Sequence, residues 1–130
     1  MNSKQVGSLG EKIALNFLKK QGYQILDKNY TPKFISGPLR GEIDIVAKRD
    51  DVICFVEVKA LSGLGQAEGF SPEEKVDFLK QRKIIKMAES WLMEKKIPLD
   101  SKWQIDVIAI KINLESRKAK INHFPNVSIA

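Results

Sequence analysis

One stretch constrains this chain more than any other: Gly41 to Lys59, GEIDIVAKRDDVICFVEVK. Two runs rich in β-branched residues flank a charged turn, a spacing that predicts a β-hairpin. Residues two apart along a strand face the same side. The first strand therefore sets Glu42, Asp44 and Val46 against Ile43, Ile45 and Ala47. The second sets Ile53, Phe55, Glu57 and Lys59 against Val52, Cys54, Val56 and Val58. A turn centred on Asp50 and Asp51 makes Arg49 face Val52. Asp44 then stands opposite Glu57, and Glu42 opposite Lys59. Opposed side chains have Cβ atoms roughly 4.5–5.5 Å apart.

Two carboxylates held that close repel by about 3 kcal/mol at an effective dielectric near 20. A cation, a shared proton or a neighbouring lysine has to offset the repulsion. A divalent metal suits two oxygen donors beside an apolar wall. For an isolated Glu-x-Lys the plainer reading is a solvated sheet face with Lys59 as a surface partner. The flanks argue against that here. VICFV and IVA form a near-continuous apolar run, which predicts a strand covered on both faces. Burial makes the charges costly and favours a site.

At 130 residues the chain fits a single domain able to bury roughly two thirds of its surface. A net charge of +6 and a pI near 9.4 favour an anionic partner, nucleic acid ahead of membrane. Cys54 is the only cysteine, which excludes an internal disulfide and a cysteine metal cluster. His123 is the only histidine, which excludes a His-rich zinc site and leaves a Ser-His-Asp hydrolase only if His123 serves it. No signal peptide, membrane span or repeat is evident, so the expected location is the cytoplasm.

Ahead of the hairpin, Leu9, Ile13, Ala14, Phe17 and Leu18 recur at helical spacing and predict a helix from about Ser8 to Lys20, stopped by Gly22. Glu11 lies three residues after Ser8. It reads as a capping-box partner unless the helix start abuts the hairpin. Tyr23 to Tyr30 reads as a strand with Tyr23, Ile25 and Asp27 to one side. The loop TPKFISGPLRG follows, where Lys33 and Arg40 beside Phe34 suit either a solvated connection or phosphate contact with base stacking.

Beyond Lys59, a glycine-rich loop lacks the Gly-Lys-Ser/Thr of a phosphate cradle. The next helix has Ser71 as N-cap, Pro72 at N1, Glu74 in a capping box and Pro98 past its end. Val76, Ile84, Met87, Ala88 and Trp91 form its buried stripe. Lys80 falls inside that stripe, which implies acidic groups or phosphate nearby, or a side chain snorkelling to the sheet rim. Trp103, Ile105, Val107 and Ala109 then alternate with Gln104, Asp106, Ile108 and Ile110, and a short strand follows near Lys120 to Phe124. Asp106 shares a face with isoleucines and is read as an anchor for a loop or a helix end, with no chemical role assigned.

The order of Gly10-Glu11 on a helix, GEIDIV, FVEVK, a long helix, QIDVIAI and INHFPN is similar to the YraN-type family of uncharacterised bacterial proteins, over nearly the whole chain. That family is grouped with the restriction-endonuclease-like PD-(D/E)xK nucleases, which include Holliday-junction resolvases. The resemblance implies an α/β fold with a mixed central β-sheet flanked by helices, in the order α-β-β-β-α-β-β. It implies a metal set of Glu11, Asp44 and Glu57. It gives catalytic roles to Asp44, Glu57, Lys59 and Lys80; Lys80 together with the loop residues Lys33 and Arg40, read from their own setting, would contact nucleic acid. Two departures stand out: Leu61 replaces the usual basic residue two after the motif lysine, and the loop before GEID is longer. Both bear on how substrate is gripped.

The activity so implied is endonucleolytic hydrolysis of phosphodiester bonds with Mg²⁺ or Mn²⁺. The nucleic acid would be DNA ahead of RNA, with structured or branched DNA among the candidates. Resolvase relatives act as dimers, so a homodimer is also admitted. The competing class is a nucleic-acid-binding module that keeps the nuclease shape without chemistry; carboxylate-dependent metal affinity discriminates the two.

Overall fold

The computed structural model describes residues 1–33, 37, 41–62 and 78–127, the side chains of 78–80 excepted. Helix α1 (Ser3–Lys20) precedes strands β1 (Gln24–Tyr30), β2 (Ile43–Arg49) and β3 (Val52–Ser62); helix α2 (Phe78–Glu94) precedes β4 (Trp103–Asn113) and β5 (Lys118–Phe124). The strands form one sheet in the order β1-β2-β3-β4-β5. All neighbours are antiparallel except β3 and β4, which run parallel. Parallel neighbours require a crossover, and α2 lies within it. This mixed sheet flanked by two helices is the α/β arrangement, in the element order, that the motifs imply, and it is consistent with a nuclease-like fold. None of the described helices is long and apolar enough to cross a membrane.

Helix α1 begins earlier than its apolar spacing suggests. Asn2 Oδ1 accepts the Gln5 N–H at 2.8 Å while Gln5 Oε1 accepts the Asn2 N–H at 3.0 Å. This reciprocal cap replaces the one expected at Ser8 and Glu11, so Glu11 lies mid-helix and is released from a capping role. The buried line is Val6, Gly10, Ala14 and Leu18, with Leu9, Ile13 and Phe17 packed at its flanks. At the other end Gly22 (φ 91°) takes the left-handed conformation. It lets the Tyr23 N–H reach Leu18 O at 3.0 Å, which closes the last turn.

The β2–β3 turn is as the sequence indicates. Asp50 (φ 52°) and Asp51 (φ 64°) occupy its two centres, both left-handed, and Arg49 pairs with Val52. On one face of the sheet, Ile45, Ala47, Cys54, Val56, Ile108 and Ile110 pack under α1. On the other, Val46, Phe55, Ile105 and Val107 pack under Ile84, Met87, Ala88 and Trp91 of α2. Phe55 meets the rings of Trp91 and Trp103 edge-on, with centroids 5.7 and 5.5 Å away. The buried face of α2 is the one its spacing predicts. The residues expected to cap it, Ser71, Pro72 and Glu74, together with Val76, lie outside the described residues.

Alternation fails in two places near the sheet edge. A bulge between Ile25 and Asp27 turns Asp27 away from Ile25 and toward α2, where Asp27 Oδ2 accepts the Trp91 indole N–H at 3.0 Å. Ile43 joins Tyr30 in the α2-side core instead of sharing the face of Ile45. Asn29, between the paired residues Lys28–Ile45 and Tyr30–Ile43, is left-handed (φ 51°), and a left-handed residue breaks the pleat.

Candidate functional site

The candidate site forms where β2 parts from β3. Their ladder is regular from Arg49–Val52 to Ile45–Val56. At the next step the Val58 N–H donates to Asp44 Oδ2 at 2.8 Å, so a side chain takes the hydrogen bond that a continuing strand would take. Asp44 is half-buried there. Burial pushes its carboxyl up to about 7, and the charge of Glu57 adds to this; the Val58 N–H opposes the rise, while Glu11 and Glu42 reinforce it. Glu57 is therefore close enough to act on Asp44 more strongly than any other charge, one step beyond the last paired residues Ile45 and Val56.

Glu11 arrives from the other face, on α1. Gly10 brings it there: a Cβ on Gly10 would lie 2.5 Å from Ala60 Cβ, so only glycine lets α1 seat so closely on β3. Carboxylate oxygens of Glu11, Glu42 and Asp44 all lie within 4.8 Å of one another. The Asn29 amide bridges two of them, donating to Glu11 Oε1 and to Glu42 Oε1, each at 2.6 Å. Lys59 Nζ lies 3.2 Å from Glu57 Oε1, which joins the two members of the Glu-x-Lys pair.

The structure thus brings together Glu11 and Asp44, with Glu57 and Lys59 beside them. Lys33 is exposed just past β1 and forms no ion pair among the described residues. Arg40 and the Lys80 side chain lie outside the described residues. Glu42 and Asn29 are the members that sequence reasoning does not assign to the site. For Glu42 a signal exists, since alternation in the sequence groups it with Asp44, two residues later. For Asn29 there is none, because its placement depends on a bulge and a left-handed residue.

A donor set made of carboxylate oxygens alone suits a hard divalent ion. Two oxygens on one magnesium lie at most about 4.2 Å apart, twice the usual bond length. Closing from the observed spread takes less than ~1 Å of side-chain adjustment. The residues present therefore fit Mg²⁺ or Mn²⁺.

A second polar group lies deeper under α1. Asp106 is fully buried, and it accepts from Gln104 Nε2 and the Asn126 N–H at 2.9 Å each and from His123 Nε2 at 2.8 Å. Burial works to raise its carboxyl, but these hydrogen bonds outweigh burial and hold it below the ordinary range. Asp106 thus anchors the segment after β5. Burial and the adjoining Asp106 push the Cys54 thiol up to about 12, which leaves it inert as a nucleophile.

Residues 10–110 match the model of uncharacterised protein family UPF0102. The chain belongs to that family. It is 39% identical over 124 residues to a UPF0102 protein of Alkaliphilus oremlandii, covering 95% of this chain and 97% of the relative. Identity to a UPF0102 protein of Clostridium tetani is 44% over 115 residues, covering 87% and 86%. To that of Myxococcus xanthus it is 35% over 122 residues, covering 94% and 87%. Among solved structures, an fdxN element excision controlling factor protein from Anabaena variabilis matches with a TM-score of 0.45 and 20% identity, covering 90% of this chain and 98% of that one. An XisH family protein from Nostoc punctiforme matches with a TM-score of 0.42 and 14% identity, covering 88% and 98%. UPF0102 membership agrees with the YraN-type motif order and assigns no reaction.

Proposed function

We propose that this UPF0102 protein is a metal-dependent endonuclease that hydrolyses phosphodiester bonds in nucleic acid. The observation that carries the reading is the condition of Asp44: a half-buried carboxyl raised to about 7, ringed by Glu57, Glu11 and Glu42. Such an arrangement disfavours its own ionised form and is relieved by a divalent cation. Glu11, Glu42 and Asp44 would hold Mg²⁺ or Mn²⁺, with Glu57 as a further donor. When bound, the ion supplies Lewis-acid polarisation of a phosphate oxygen and a more acidic water.

The chain's own residues supply the rest. The Val58 N–H fixes one oxygen of Asp44, and the carboxylate keeps further acceptor sites for a cation. Asn29 holds Glu11 and Glu42 in register with each other. Lys59, tethered by Glu57, carries a positive charge beside the acids and is suited to orient water or to stabilise charge developing on phosphate. Lys33, Arg40 and Lys80 would grip the backbone, and binding through them would weaken with salt.

The test is a panel of linear, single-stranded, flapped and four-way nucleic acids incubated with Mn²⁺. Cutting is expected, and Asp44→Ala or Glu57→Ala abolishes it while the circular dichroism spectrum is retained. Nucleic-acid binding without cutting, and without carboxylate-dependent metal affinity, would instead assign the protein to the binding modules.

A further inference from the structure

The β4–β5 hairpin concentrates cations that the site above does not use. Lys111, Arg117, Lys118 and Lys120 fall within ten residues, with Glu115 the only acid among them, in a chain whose net charge is +6. The register places them. Strands β3, β4 and β5 align in rows: Glu57, Val107 and Phe124; Lys59, Ala109 and Asn122; Leu61, Lys111 and Lys120. Val107 and Phe124 pack on the α2 side of the sheet, and Ile110, Ile112 and Ile121 on the α1 side. Alternation therefore sets Lys111 and Lys120 on the same face as Glu57 and Lys59, one row further on. That row lies about 7 Å beyond Lys59 along the strands.

This arrangement is costly for an isolated sheet. Lys111 and Lys120 are direct cross-strand partners, and opposed like charges destabilise a sheet. No ion pair joins Lys111, Arg117, Lys118 or Lys120 to a carboxylate among the described residues. Lysines on an edge strand deter edge-to-edge pairing, which accounts for Lys118 and Lys120 on β5. It does not account for Lys111 on β4, which has a strand on either side. An open groove of about 350 Å³ follows the hairpin, with Lys111, Lys118, Lys120, Asn113 and Ser116 among its walls. Ile112 and Ala119 complete the lining, which holds no carboxylate; its cations and neutral hydrogen-bond donors suit the phosphates of a nucleic-acid backbone.

We infer that the β4–β5 hairpin is an arm that binds the sugar–phosphate backbone of a nucleic-acid strand leading away from the acidic site. It rests on the nuclease reading and names how that site's substrate is held. It also offers a grip in place of the motif position occupied by Leu61, the β3 member of the same row. Contacts to phosphate carry no base information, so the arm acts alike on all sequences.

The experiment uses the full chain and fluorescence anisotropy of labelled duplex DNA, four-way DNA and duplex RNA across a range of salt. A triple variant, Lys111→Gln with Lys118→Gln and Lys120→Gln, is compared with wild type and with a double variant, Lys19→Gln with Lys20→Gln. The latter pair ends α1 beside Gln21, whose carbonyl accepts from Arg49 at the far end of the sheet. The triple variant is expected to bind about tenfold or more weakly, with a salt slope shallower by about 0.9 for each phosphate no longer neutralised. The double variant should match wild type. The triple variant should also melt no lower than wild type, since an opposed like-charge pair is gone, and its Mn²⁺ affinity by calorimetry should be unchanged.

Unchanged affinity and slope in the triple variant would overturn the arm while leaving the nuclease reading intact. Binding that depends on the hairpin, with no cutting and no Mn²⁺ affinity, would support the arm and end the nuclease reading. Wild-type protein that binds neither DNA nor RNA would end both.

Discussion

Asp44 stands in for a strand: its Oδ2 accepts the Val58 N–H at 2.8 Å where β2 leaves β3. The carboxyl is thereby held among acids by a main-chain donor that does not neutralise it. Replacing Asp44 with Asn keeps an acceptor for Val58 and removes the charge. At pH 8 without metal, Asp44→Asn should be more stable than wild type by ~1–2 kcal/mol, a figure reduced for residual solvent contact. Urea unfolding with chelator present checks this; a variant less stable than wild type would contradict it.

Stability of the metal-free protein should fall as pH rises toward 8. The Asp44 carboxyl lies at about 7 in the fold against an ordinary 3.8, so folding favours its protonated form. Its contribution is fully present below 3.8 and is lost as pH rises through about 7. Asp106 acts in the opposite sense. Held below its ordinary 3.8, it contributes above that value and is lost as pH falls through its lower folded one. Melting temperature measured with chelator should therefore be highest near pH 4 and decline as pH rises through about 7. Saturating Mn²⁺ should remove the decline on the alkaline side, because the ion binds the ionised form.

Gly10 sets the distance between α1 and β3, and thereby the reach of Glu11. Gly10→Ala forces a Cβ to 2.5 Å from Ala60 Cβ, so helix and strand must separate. A loss of about 1–3 kcal/mol is expected. Mn²⁺ affinity should fall with it, since Glu11 moves back with the helix. A variant of wild-type stability and affinity would show that the close approach is not held in solution.

Asn29 tests whether the acids are oriented by a neutral bridge. Its left-handed backbone makes Ala an ambiguous replacement, whereas Gly accepts φ 51° freely. Asn29→Gly should weaken Mn²⁺ binding about tenfold or more, as loss of a ligand-orienting hydrogen bond does elsewhere. The unfolding free energy should change by about 1 kcal/mol or less.

His123 provides the contrasting case. His123→Ala removes a partner of the buried Asp106 and should cost about 3 kcal/mol, with folded protein retaining wild-type Mn²⁺ affinity. Thermal unfolding alongside calorimetry separates the two groups.

Much of this is legible in the sequence because strands and turns obey short periods. The pair Asp50-Asp51 between β-branched runs sets the hairpin register, and that register brings Asp44 beside Glu57. The buried stripe of α2 follows from Ile84, Met87, Ala88 and Trp91 at helical spacing. What escapes depends on features without a period. Asn2 and Gln5 cap α1 with side chains alone, so the helix begins earlier than its apolar residues suggest, and Glu11 resembles a cap without being one. The bulge at Leu26 and the left-handed Asn29 redirect Asp27 and Ile43. They also bring an amide to Glu11 and Glu42 that neither residue spacing nor charge can foretell.

The claim on which the account turns is that Asp44 and its acidic neighbours form a seat for one divalent ion. Calorimetric titration of Mn²⁺ at pH 7, in two buffers of different ionisation enthalpy, tests it directly. Binding with release of a fraction of a proton is expected in wild type, and loss of both heat and release in Asp44→Asn. No binding in wild type, or binding unaltered in the variant, would contradict it.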